Sequence, residues 1–285
     1  MRRLRRFHGF LRIITPMHVK FFLVALALAA PALARDIYIV PDTDISSIAD
    51  AVTVARPGDT IHLTPGHVYR ESLVLNNIVG EPDNPITIDG HGATLDAADP
   101  LDPARWRQVR PGLWRCDDLL HRVAGHKTGR IPDRSVNAII ARYFIVLDGR
   151  ANRMGRMSKA RAAPLKSPDD LIDGQWTFER DEQAFYIATA TDRSLAGYPI
   201  ALPMRANPVV LRGRCEHIII RNLTATHGWN DGFNIHGYSR DIRFENIVAI
   251  ENGDDGISAH EDCRIEVDGM LSQANSTGLC HGNDS

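Results

Sequence analysis

The segment N-G-D-D-G-I-S-A-H-E-D, Asn252 to Asp262, holds four carboxylates and a histidine in eleven residues. A second segment, N-D-G-F-N-I-H-G-Y-S-R-D from Asn230 to Asp241, repeats its grammar. Asp231 and Asp255 each precede a glycine, and His236 and His260 each follow their aspartate by five residues. Paired carboxylates serve acid–base chemistry on glycosidic bonds. A separation of about 5 Å suits retention, and roughly 6.5–9.5 Å leaves room for an inverting water. Like charges held that close push one carboxyl up in pKa, which supplies a general acid. Asp231, Asp254 and Asp255 are therefore the candidate catalytic residues, with Asp254 or Asp255 as the acid and Asp231 as its partner. Asp-Gly is also ordinary chemistry for a tight corner, so a purely structural role stands beside the catalytic one.

These residues need elements that align them. Asn222 to Gly232 reads N-L-T-A-T-H-G-W-N-D-G, Asn246 to Gly256 reads N-I-V-A-I-E-N-G-D-D-G, and Asp268 to Gly278 reads D-G-M-L-S-Q-A-N-S-T-G. The step is 24 residues and then 22. Short alternating strands flank each polar turn. Such a unit is shorter than the roughly 30 residues of a βαβ crossover, and it lacks a leucine framework. It predicts an all-β fold, a right-handed parallel β-helix in which each unit is one coil. Equivalent residues then stack about 4.8 Å apart. Asn222 and Asn246 form a ladder at a sharp turn, where Asn accepts positive φ. Alternation turns Phe233, Ile235, Ile257 and Ala259 inward. It turns Asn234, His236, Ser258 and His260 outward as candidate substrate-binding residues.

The rest of the chain is organised around that repeat. Ser46 to Ala55 has a short helical pattern ended by Pro57 and Gly58, suited to covering a first coil. The strand-like runs T-I-H-L, S-L-V-L and I-T-I-D-G follow. Residues 35–100 are expected to hold this cap and the first coils, and 206–285 the later repeats. Between them, 101–205 breaks the rhythm and is expected to be an inserted β-rich segment. Trp176 and Phe178, then Phe185 and Ile187, flank a polar turn and predict a hairpin. The basic stretch Asp148–Lys166 is either a solvated loop or an arm over a groove that meets anionic sugar. The sequence ends inside a coil without a cap, so an open edge, truncation and self-association are expected there.

Residues 1–34 have the pattern of a secretory signal: an apolar run with Ala32-Leu33-Ala34 at its end. Met17 would open a compact signal by itself. The mature chain is expected to be secreted or periplasmic. Those residues carry six Lys or Arg and no acid, leaving 27 basic and 35 acidic residues, a balance of −8. That excludes a broad nucleic-acid surface. No later apolar run is long enough for a membrane span. Cys116, Cys215, Cys263 and Cys280 match no zinc pattern, and the sequence leaves free thiols and disulfides equally open.

The cap, the run R-P-G-D-T-I-H-L-T-P-G-H-V-Y-R-E and the three repeats resemble the pectin-lyase-like superfamily of right-handed parallel β-helices. The aromatic segments look like the insertion carried by secreted bacterial β-helix glycosidases. Asn230-Asp231-Gly232 and Gly253-Asp254-Asp255 are similar to the N-T-D and D-D elements of polygalacturonases. The family's histidine falls on Thr277, with His281-Gly282 four residues later. Asp231-Gly232-Phe233-Asn234-Ile235-His236 has a weaker likeness to a mannuronan epimerase strand. These resemblances imply an exported polysaccharide-acting protein, a glycoside hydrolase ahead of a polysaccharide lyase or uronate epimerase. A non-catalytic carbohydrate-binding or adhesive β-helix is the alternative of a different class. No cofactor is required on this reading. Ca²⁺ enters only because lyases of this fold often use it, and the sequence has no defined calcium loop.

Overall fold

The computed structural model describes residues 33–40, 42–159 and 164–282. The signal expected over 1–34 lies outside them except for its last two residues. The N-terminal elements are β1 (Asp36–Tyr38), α1 (Ile48–Val54), β2 (Thr60–His62), β3 (Val68–Tyr69), β4 (Leu73–Asn76) and β5 (Ile86–Asp96). The next stretch holds β6 (Ala98–Pro100), β7 (Arg107–Arg110), β8 (Leu113–Cys116), α2 (Leu119–Ala124) and α3 (Asp133–Ile140). It continues through β9 (Ile145–Leu147), β10 (Arg150–Asn152), β11 (Trp176–Glu179), β12 (Ala184–Ala188) and β13 (Ile200–Pro203). The last are β14 (Val209–Arg212), β15 (Arg214–Thr226), β16 (Phe233–Ile235), β17 (Tyr238–Ile250), β18 (Asp255–His260), β19 (Asp262–Gln273) and β20 (Thr277–Gly282).

Two parallel sheets form the body. One runs β1-β2-β5-β15-β17-β19, with β3 also on β5, and the other β4-β14-β16-β18-β20. From β14 onward the chain alternates between them. Arg214 pairs with Tyr238 and Val209 with Phe233, each 24 residues on, and the step shortens to 22 at Ile257 and Leu279. Inward residues stack in columns, such as Leu73, Val209, Phe233 and Ile257. Phe233 meets Phe244 of the facing sheet edge to face at 5.5 Å. These side chains are fully buried in one apolar cluster, at about 1.5–3 kcal/mol each.

The turn ladder forms as expected. Asn222 and Asn246 both have positive φ, and the Asn246 side-chain amide donates to Asn222 Oδ1 at 3.0 Å. The third position differs by one residue. Asp268 pairs with Glu245, so Gly269 (φ 79°) stands opposite Asn246. Helix α1 begins at a capping box: Asp50 N–H donates to Ser47 Oγ at 3.1 Å, and Ser47 N–H donates to Asp50 at 2.9 Å. Its buried Ile48, Ala51 and Val52 pack toward β4.

From β6 to β13 the chain builds two antiparallel sheets, β6-β13-β9-β10 and β7-β8-β12-β11. The expected hairpin is present, with Trp176 opposite Ile187 and Phe178 opposite Phe185. Tyr143, Trp176 and Phe185 centre a separate apolar cluster that includes one face of α2 and α3. The four cysteines are free thiols, Cys116, Cys215 and Cys263 of them buried. No described helix is long and apolar enough to cross a membrane.

Candidate active site

The two acidic corners stack because their backbones bond to one another. Gly253 N–H donates to Gly228 O and Asp254 N–H to Asn230 O, both at 2.7 Å. The approach requires glycine at 253, since a Cβ there would lie 2.0 Å from the Trp229 carbonyl oxygen. Asn252 fixes the turn from inside, accepting from Gly228 N–H at 3.0 Å and donating to Ala225 O at 3.2 Å. The glycines after the aspartates have a different reason to be glycine than the positive φ that turns often demand. Gly232 and Gly256 lack positive φ, but a Cβ on Gly256 would press to 2.5 Å from Gly278 O.

Asp231, Asp254 and Asp255 come together. One carboxylate oxygen from each lies within 4.8 Å of the others, and the residues are 3%, 5% and 2% exposed. Asp231 accepts from Asp255 N–H at 3.0 Å and from the amides of Asn230 and Asn234 at 2.8 Å each. Burial pushes its carboxyl up to about 6, and the charges of Asp255 and Asp254 add to that against the opposing hydrogen bonds. Burial would also raise Asp254. Ser158 Oγ, Arg142 Nε at 2.7 Å and the Lys159 ammonium at 3.7 Å outweigh it and hold Asp254 below the usual carboxylate range. Asp255 accepts from Lys159 Nζ at 2.6 Å and from the Thr277 hydroxyl. Burial works to lower the Lys159 ammonium, but Asp255 and Asp254 leave its pKa raised. These three carboxylates could hold a metal ion, and such an ion would compete with Lys159 for Asp255.

The outward row is divided. Asn234 reaches Asp231, so it belongs to the acid cluster. Ser258 stands beside Asn234 in register, is buried, and bonds His260 Nε2 at 2.9 Å. His236 and His260 stack at 5.1 Å, with Glu261 3.9 Å from His236. This pair bonds none of the three acids.

Sequence reasoning missed Arg142, which follows α3, and the roles of Ser158, Lys159 and Thr277. The signal for Lys159 was the basic stretch itself. Within it, Ser158 and Lys159 lie on the acidic corners. Beyond Ser158 and Lys159, Arg153 donates to the carbonyls of Asn252 and Ala274. Its guanidinium also lies over the Phe144 ring.

No protein-family model matches the chain, and no curated protein matches it. The chain is similar to a solved structure of XylC in complex with xylose, at 11% identity and a TM-score of 0.48, over 88% of this chain and 58% of that one. It is also similar to a solved glycoside hydrolase, at 13% identity and a TM-score of 0.46, over 80% of this chain and 64% of that one.

Proposed function

We propose that the alternating parallel sheets are coils of a right-handed parallel β-helix, and that the chain is an exported glycoside hydrolase of the retaining type. One observation carries the chemistry: three buried carboxyls within 4.8 Å of one another, with Asp231 raised and Asp254 lowered. A carboxyl that keeps its proton beside a neighbour held charged is the usual mark of a general acid, and the short separation favours retention. The 24-residue alternation between two parallel sheets supports the coil. Right-handedness follows from the general rule for parallel crossovers. Export rests on the apolar run that ends at Ala34.

The roles reverse those expected from register. Protonated Asp231 gives its proton to the glycosidic oxygen as the bond to the anomeric carbon breaks. Asp255, the carboxylate beside it, attacks that carbon and forms a glycosyl ester. Asp231 then takes a proton from water, whose oxygen attacks the same carbon and releases Asp255. Asp254, fixed by Arg142, faces the positive charge that develops on the ring. Asn234 and Asn230 orient Asp231.

The test is a polysaccharide panel scored for new reducing ends and, separately, for unsaturated products by ultraviolet absorbance. Reducing ends without absorbance are expected. Asp231→Asn and Asp255→Asn should each cost at least about a hundredfold in rate with circular dichroism unchanged. Near-normal rates in both variants would remove the site. Unsaturated products would replace hydrolysis by elimination.

A further inference from the structure

All three carboxyls are buried, and the Lys159 ammonium occupies both oxygens of Asp255. We propose that Lys159 is an internal, autoinhibitory ligand of the acid site, displaced by a ligand that brings its own positive charge, a protonated amino sugar. The inference rests on the reading of this site as sugar-binding and names what opens it.

The contacts are those of a seated ligand. The ammonium reaches both oxygens of Asp255 and lies 3.3 Å from Thr277 Oγ1. Lys159 N–H donates to Ser276 Oγ at 3.1 Å, and Ser158 covers Asp254. The Lys159 side chain is 40% exposed while that of Asp255 is 3% exposed. Withdrawing the lysine therefore loses little packing but strands a buried carboxylate, which is the costly half of a broken pair. Arg142 follows α3, outside the arm, and remains on Asp254. One positive charge is then missing, at Asp255.

That deficit sorts the ligands. A neutral sugar leaves Asp255 uncompensated. A uronate adds a further carboxylate. A protonated amine on a sugar ring restores one charge and offers N–H donors in the lysine's place. Arg156, two residues before Ser158, has Nε and Nη1 buried without an acceptor among the described residues, and such groups are expensive to leave unpaired. Release of the arm would return them to water.

Hydrogen exchange of the full chain at pH 6, followed by mass spectrometry over residues 153–159, reads the arm directly. The probes are chitosan oligosaccharides, their neutral N-acetylated counterparts, xylo-oligosaccharides and oligogalacturonate. Chitosan oligosaccharides should speed exchange at least tenfold, and the other three less than twofold. In calorimetry, Lys159→Ala should bind chitosan oligosaccharides at least tenfold more tightly than the unmodified chain. Equal acceleration by the N-acetylated or anionic sugars, no acceleration by any sugar, or no gain in the variant would overturn the proposal. Exchange on the unmodified chain decides alone where the variant does not fold. None of these readouts needs turnover. If chitosan releases the arm and no sugar is cleaved, the hydrolase reading fails and the internal ligand stands. Cleavage of a neutral polysaccharide that depends on Asp231, with the arm still, gives the reverse.

Discussion

Asp231 allows a measurement whose size and sign follow from the structure. Its carboxyl titrates at about 6 in the folded chain against an ordinary 3.8. Between those values the native state keeps a proton that the unfolded chain has released. Stability therefore falls as pH rises through the window. The gap of roughly two units, at about 1.36 kcal/mol each, amounts to about 3 kcal/mol. The loss begins near 3.8 and is complete above about 6. Asp231 is 3% exposed, so solvent does not screen it away. Asp231→Asn removes the titration. The substitution also disturbs the bonds from Asn230 and Asn234, but that cost does not depend on pH. The useful quantity is therefore the stability of the variant minus that of the unmodified chain, from urea unfolding at pH 3.5, 5 and 7. It should rise by about 3 kcal/mol over that range. A difference flat to within about 0.5 kcal/mol, or falling with pH, would show that Asp231 is an ordinary carboxyl and remove it as general acid.

Three further outcomes follow from the same geometry. If Asp231 is the acid, kcat/KM falls as pH rises through about 6, and in Asp254→Asn that limb moves to lower pH because a like charge is gone; pH–rate profiles on the best substrate measure both. Gly253→Ala drives a Cβ to 2.0 Å from a carbonyl oxygen, while at Gly278 the nearest atom is 3.7 Å away; denaturant titration should show a loss of at least about 3 kcal/mol for the first and under about 1 for the second. Strands β19 and β20 are the outer strands of their sheets among the described residues, with Leu271 and Leu279 about half exposed, so sedimentation should show self-association that Leu271→Lys with Leu279→Lys reduces.

Much of the body was legible because a repeat writes its register twice. Asn222 and Asn246 announced a turn ladder, alternation gave the inward Phe233 and Ile257, and the pattern over Ser46–Ala55 with Pro57 and Gly58 after it gave a helix. The slip at Asp268 arose because Gly269 takes the left-handed position at the third turn, and one polar residue looks much like its neighbour in sequence. The three aspartates were found because their stacking is local to the repeat. Arg142 and Lys159 meet them across 112 and 96 residues, and no periodicity points that far. Register shows which acids are adjacent, but the cations that set their charge come from elsewhere, so the sequence named Asp254 or Asp255 as the acid where we propose Asp231. Helices α2 and α3 were missed because each is short and flanked by polar turns.

The position of β6 to β13 between β5 and β14 has a consequence for how the chain is made. β5 finds its partner β15 132 residues later, at Ile86 and Ile218, and β4 waits for β14 over 136. At about 5–20 residues per second of synthesis, on the order of ten seconds pass before either partner emerges. Closing so long a loop is entropically slow. During that interval β4 and β5 present unpaired backbone, the condition in which strands capture wrong partners. The β6–β13 segment carries its own apolar cluster, so it can become compact while the first sheet edge waits. Its early collapse shortens the distance that β14 and β15 must then search. Asp231, Asp254 and Asp255 all lie beyond β15 in sequence, so the acid site forms only after that search.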